Sequence, residues 1–148
     1  AAQAARDREA AVAAAAPQAR RAGFLVAPML SGVAELIVGA RVDPVFGPVV
    51  LVGLGGVFAE VMGDTALRLA PVDAATAETM IRSLKGFALL DGARGRPKAD
   101  VAAAAEAVAA LSRFAATRRG SVASVEVNPL LVRETGAVAR DAAIEPFA

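Results

Sequence analysis

Between Phe24 and Ala70 the chain strings together short apolar runs, "FLVAPML", "AELIVGARV", "PVVLVGLG" and "TALRLA", with no long helical pattern between them. Parallel strands need crossover connections of a dozen or more residues, so strands that follow one another this closely pair antiparallel. Helical periodicity comes only afterwards. Asp73 is placed to cap a helix whose apolar set is Ala77, Met80, Ile81 and Leu84, with Lys85 and Gly86 as a stop. Asp100 caps a second helix, running to about Arg118, whose inner face is Val101, Ala104, Ala105, Val108, Leu111, Ser112 and Ala115. Residues 1–16, almost all Ala with charges, form a surface helix that Pro17 ends. The expected class is α+β, a mostly antiparallel sheet with helices packed on one face.

Which chemistry such a chain can carry is narrowed by what it lacks. It has no His and no Cys, which excludes Ser-His and Cys-His nucleophiles, Cys/His zinc cages, thiol redox centres and disulfides from its own residues. Carboxylates, amides, arginines and backbone groups remain, a set suited to Mg²⁺ and phosphate. Lys and Arg number 16 against 15 Asp and Glu, a net charge of +1, and the only aromatics are six Phe. Neither a field nor stacking platforms for nucleic acid are present, so no nucleic-acid partner is expected. "FLVAPMLSGVAELIVGA" is broken by Pro28 and carries Glu35, "VFGPVVLVGLGGVFA" is too short to span, and the charges at Arg6, Asp7, Arg8 and Glu9 do not suit a signal peptide. The expectation is a cytoplasmic chain with no membrane partner.

Three local patterns suggest sites. Gly53-Leu54-Gly55 follows a β-rich run, but a dinucleotide fingerprint needs Gly where Phe58 stands, and Gly63 to Thr65 interrupts the helix that should follow. The glycines then serve either a strand-to-turn junction or a loop whose backbone closes over a nucleotide. Arg94, Arg96 and Lys98 lie in "LLDGARGRPKAD", as an anion cradle or as solvated loop residues. In "SVEVNPLLVRETGAVARDAAI", a four-residue turn pairing Arg133 with Gly136 sets Asn128 opposite Asp141, their Cβ atoms about 5 Å apart, with Glu126 on the same face. One cation could then take an oxygen from each. A bulge at Gly136 would slip the register by one residue and send Asp141 to the other face, and Pro129 removes a ladder donor. Locally, a polar edge hairpin and a metal site both remain open.

Taken in order, "DPVFGP", "GLGG", "GARG" and "EVNPL", within a stretch from about Gly23 to Ile144, resemble the ATP-grasp domain of NDP-forming (ADP-forming) acyl-CoA synthetases, the acetate-CoA ligases related to the succinyl-CoA synthetase β subunit. The resemblance implies a nucleotide held between two α+β lobes. This chain would supply a helical lead-in, residues 1–22, and the C-terminal lobe, residues 23–148, with the first lobe and its phosphate-binding Lys lying before Ala1. It implies that adenine meets the backbone of Ala27, Pro28, Met29 and Leu30, that Glu35 reaches the ribose, that Glu126 lies near the phosphates, and that Asn128 and Asp141 hold Mg²⁺. The implied activity is part of an acid-CoA ligase that couples ATP/ADP to a phosphohistidine on a CoA-binding partner domain or subunit. The alternative is a degenerate grasp module that binds nucleotide for regulation, fused for example to an acetyltransferase.

Overall fold

The structure, a computed structural model, describes residues 2–56 and 63–147; Phe58, at the failed fingerprint position, lies outside them. The chain divides into two compact units, Ala1–Leu30 and Ser31–Ala148. In the first, α1 (Ala2–Ala15) buries no side chain. Its helicity comes from Ala propensity and from local bonds such as Gln3 Nε2 to Asp7 Oδ1, 2.8 Å. The strand expected over "FLVAPML" does not form. A strand exists only against a partner, these residues join no ladder among the described residues, and Leu25 and Met29 stand 95% and 97% exposed.

The second unit is built on a sheet of β1 (Ala34–Asp43), β2 (Gly47–Leu54), β3 (Thr65–Leu69), β4 (Val122–Val132), β5 (Ala137–Ala139) and β6 (Ala142–Pro146). The spatial order is β3-β2-β1-β4-β5, with β6 also on β4, and every pairing is antiparallel. β5 meets Leu130 to Val132 and β6 meets Val122 to Val127, so the two take successive stretches of one edge of β4. Gly53 pairs with Thr65 across β2 and β3, which rules out the crossover of a dinucleotide fold. Alternation along the strands sends Leu36, Val38, Val50 and Val52 to one face, where they are fully buried.

That face is covered by α2 (Ala74–Arg82) and α3 (Val101–Thr117). Met80, Ile81, Ala104 and Val108 pack against the strands, and a fully buried side chain of Leu, Ile or Met size contributes about 1.5–3 kcal/mol. Both expected N-caps form: Asp73 accepts from Thr76 N at 2.8 Å and Asp100 from Ala103 N at 3.0 Å. The expected stop at Lys85-Gly86 is displaced, for α2 ends at Arg82 with Ser83 as its C-cap. The reason is Asp64, only 6% exposed, whose two carboxylate oxygens take Lys85 N and Gly86 N at 2.8 Å each. Those amides are drawn out of the helical ladder, although Leu84 still reaches the core. No helix among the described residues is long and apolar enough to cross a membrane.

Two single residues hold α3 in place. Ser112 is fully buried; its Oγ accepts from Val72 N at 3.0 Å and donates to Ala109 O at 2.9 Å. Ser112→Ala strands a buried N–H and should cost about 1–2 kcal/mol in urea unfolding, while Ser121→Ala on the exposed turn should cost almost nothing. Asp100 also accepts from Gly136 N at 2.8 Å, and the Gly136 and Ala103 N–H groups hold its carboxyl below the ordinary value of 3.8. Its stabilisation is therefore fully present above that value and vanishes as pH falls through the lower folded value. Thermal melts of Asp100→Asn should fall furthest below those of the original chain near neutral pH and converge with them in acid below about 3.8; a gap that ignores pH contradicts this role.

Candidate functional site

With α2 and α3 on one face, no described helix of the second unit covers the opposite face of the sheet. Its side chains are set by register: Gly39 lies between Leu51 on β2 and Glu126 on β4, and Leu67 flanks Leu51 on β3. Gly39 has no side chain, so a depression opens between its neighbours. A cavity of about 350 Å³ lies there, lined by Ile37, Val49, Leu51 and Leu67 on the apolar side and by Arg41, Ser124 and Glu126 on the polar side. Leu67 and Leu69 are 51% and 60% exposed on edge strand β3. An apolar floor with a charged margin suits a ligand that is flat and apolar at one end and ionic at the other.

The β4–β5 turn has the register expected from pairing Arg133 with Gly136. Arg133 N donates to Gly136 O at 3.0 Å, and Val132 pairs with Ala137. Gly136 takes φ +81, which Gly accommodates without strain, and no residue is inserted. The same register continues past a break at Arg140 and Asp141 into β6, where Glu126 pairs with Ala143. Asn128 N donates to Asp141 O at 3.2 Å, so these two residues face each other across the ladder. Asp141 itself lies between β5 and β6, outside either strand. Asn128 Nδ2 donates to Glu126 Oε1 at 3.1 Å, and Asp141 Oδ1 accepts from its neighbour Ala142 N at 2.8 Å. The Asn128–Pro129 peptide is cis.

Glu35, the second residue of β1, lies opposite Leu131. Its carboxylate lies 3.8 Å from Arg140 Nη1, both side chains being half-exposed, and such a pair contributes little on its own. Its carbonyl accepts from Gly55 N at 2.7 Å. A Cβ at Gly55 would sit 3.0 Å from that carbonyl oxygen, so the second glycine of "GLGG" permits the close approach that brings β2's end against Glu35. Arg140 was not singled out by the sequence pattern; its position one residue before Asp141 was the available signal. Ala27 to Leu30 belong to the first unit, in no regular secondary structure.

Among the described residues no three His, Cys, Asp or Glu side chains cluster as a metal cage. Glu126, Asn128 and Asp141 instead form a mixed set of two carboxylates and one amide, all exposed. With its nitrogen turned to Glu126, the Asn128 amide leaves its oxygen for a cation. Oxygen-only donors on an open face fit a hard divalent ion that keeps waters of its own. In the "GARG" loop, Lys98 Nζ is engaged with Asp91 at 2.9 Å, so it does not join Arg94 and Arg96 in a free cationic group.

Comparison with known proteins places the chain in a family. The family profile described as an ATP-grasp domain matches residues 1–145. The chain is 39% identical over 120 residues to acetate–CoA ligase [ADP-forming] I of Archaeoglobus fulgidus, covering 81% of this chain and 17% of that protein. It is 35% identical over 130 residues to the β subunit of acetate–CoA ligase [ADP-forming] II of Pyrococcus furiosus, covering 86% of this chain and 55% of the subunit. An acetyl-coenzyme A synthetase of Ca. Korarchaeum cryptofilum, solved with coenzyme A and Mg-AMPPCP, superposes with a TM-score of 0.73 at 36% identity, over 82% of this chain and 55% of that one. The chain thus spans 17% of the first relative and about half of the other two. By the match over nearly its whole length and the fold that carries it, the chain belongs to the ATP-grasp domain family.

Proposed function

We propose that this chain is the nucleotide- and magnesium-binding lobe of an ADP-forming acyl-CoA synthetase, an acid-CoA ligase, in which residues 1–22 lead into the C-terminal lobe of the grasp, residues 23–148. The observation that carries the reading is the sheet-face depression whose apolar floor ends in Glu126, with Asn128 donating its amide N–H to Glu126 and Asp141 opposite Asn128 across the ladder. Two carboxylates repel a bare polyphosphate, so an anionic ligand is favourable there only with a cation between them. ATP or ADP with Mg²⁺ satisfies both ends of such a site. In support, the Korarchaeum synthetase was solved with Mg-AMPPCP and with a phosphohistidine segment pointing towards its nucleotide site.

In this reading the backbone of Ala27, Pro28, Met29 and Leu30 meets adenine, and the Glu35 carboxylate accepts from the ribose hydroxyls. Asn128 and Asp141 hold Mg²⁺ through oxygen, while Glu126 fixes the Asn128 amide and lies beside the phosphates. When bound, the metal offsets the charge that spreads over the transferring phosphoryl group. The lobe's own contribution in this reading is placement, with Glu126 and Asn128 on β4 and Asp141 opposite Asn128 across the ladder. With no His in the chain, the phosphohistidine comes from a CoA-binding partner domain or subunit, and the first grasp lobe completes the nucleotide site.

In the full-length enzyme, Asn128→Ala and Asp141→Ala should each lower Mg²⁺-dependent ligase activity by about a hundredfold or more, with the fold intact by circular dichroism; unchanged activity would remove the metal assignment. The 148-residue chain alone lacks the opposing lobe, so calorimetric titration with Mg-ATP should show weak binding or none. Micromolar affinity for the isolated chain would contradict the two-lobe reading.

A further inference from the structure

Past the C-terminal end of β4, the lead into β1, the loop before α3 and the β4–β5 turn line a second, open cavity of about 340 Å³, which shares no lining residue with the first. Its polar groups come from Ser31, Arg96, Arg133, Glu134 and Thr135. We propose that this pocket binds a phosphate group, free or as the end of a phosphomonoester, through Arg96 and Arg133.

Both arginines line the cavity without a carboxylate partner among the described residues. Among the described residues, Arg41, Arg82, Lys98 and Arg140 each have a carboxylate within 4.0 Å, whereas Arg96 and Arg133 have none. The Arg96 side chain and the Arg133 backbone are held in place. Arg96 Nη2 donates to Val33 O at 3.1 Å, which anchors the guanidinium and leaves its other N–H groups for a ligand. Arg133 is pinned by its backbone, its N donating to Gly136 O at 3.0 Å and its O accepting from Asp100 N at 2.7 Å. The loop that presents Arg96 is closed by Ala99 N to Leu90 O, 2.8 Å. Arg94 within it is kept at φ 58, left-handed for a residue that is not Gly, which shows how firmly the loop's course is set.

Two guanidinium forks on the lining of one cavity, one of them anchored at Val33 O, match the oxygens of a tetrahedral dianion better than two lysines would. The Ser31 and Thr135 hydroxyls add donors. Glu134 opposes a bare anion but can accept from a ligand hydroxyl, and one phosphate fills only part of the cavity. A phosphomonoester of a hydroxylated molecule therefore uses more of the lining than inorganic phosphate does. None of these residues has a role in the nucleotide site proposed above, so the two readings stand or fall separately.

The test is a titration of the ¹⁵N-labelled 148-residue chain with inorganic phosphate and, in parallel, glycerol 3-phosphate, at ionic strength matched by NaCl. Saturable amide shifts at Gly32, Val33, Arg96 and Thr135 are expected. Arg96→Gln and Arg133→Gln should each weaken binding by about tenfold, while Arg119→Gln and Asp141→Ala should leave it unchanged. Tighter binding of glycerol 3-phosphate marks an ester as the ligand, and equal binding marks free phosphate. The proposal is overturned if shifts do not saturate beyond the NaCl-matched control, if they persist in both arginine variants with their spectra otherwise folded, or if they map to Gly39 and Glu126 instead.

Discussion

One side chain joins the helical layer to the strand that carries the site. Asp100 caps α3 with one carboxylate oxygen and takes Gly136 N with the other, while its own N–H donates to Arg133 O. The start of a 17-residue helix and the turn of the β4–β5 hairpin are thereby tied at one point. Because Gly136 is held there, the turn closes without an inserted residue, and the pairing carries along β4 to set Asn128 against Asp141. A slip of one residue would turn every following side chain to the opposite face. The electrostatics of the open face thus depend on a capping interaction at the edge of the covered one.

The asymmetry of the sheet explains why a site forms at all. Helices α2 and α3 pack on the face of Leu36, Val38, Val50 and Val52, and the other face keeps Leu51, Leu67 and Leu69 near the surface beside Glu126 and Asn128. A sheet covered on both sides would have buried these carboxylates at a desolvation cost of several kcal/mol each. Left exposed, they stay hydrated. Gly39 and Gly55 shape the opening by omission, one lowering the floor and the other letting β2 approach Glu35.

Much of this could be read from the residues in order. Asp73 and Asp100 cap their helices because an Asp just ahead of an apolar 3.6-residue pattern has few competing uses, and Asn128 meets Asp141 because turn length sets register. Two expectations failed where a distant partner decided. "FLVAPML" has strand composition but no ladder to join, and α2 stops early because Asp64, across the fold, draws Lys85 N and Gly86 N away from it. Arg140 beside Glu35 and the pairing of Lys98 with Asp91 were likewise outside the reach of local pattern.

The sequence by itself determined the antiparallel class, the two capped helices and the restriction to oxygen-donor chemistry, since each follows from spacing between near neighbours or from the absence of His and Cys, and it narrowed the hairpin to two registers between which the structure chose. Tertiary structure alone decided which sheet face stays open, which cations keep a free fork, and where α2 ends. Those outcomes depend on contacts between residues such as Asp64 and Gly86 or Arg96 and Val33, 22 and 63 positions apart. Only packing brings such groups within hydrogen-bonding distance, so no local pattern records them.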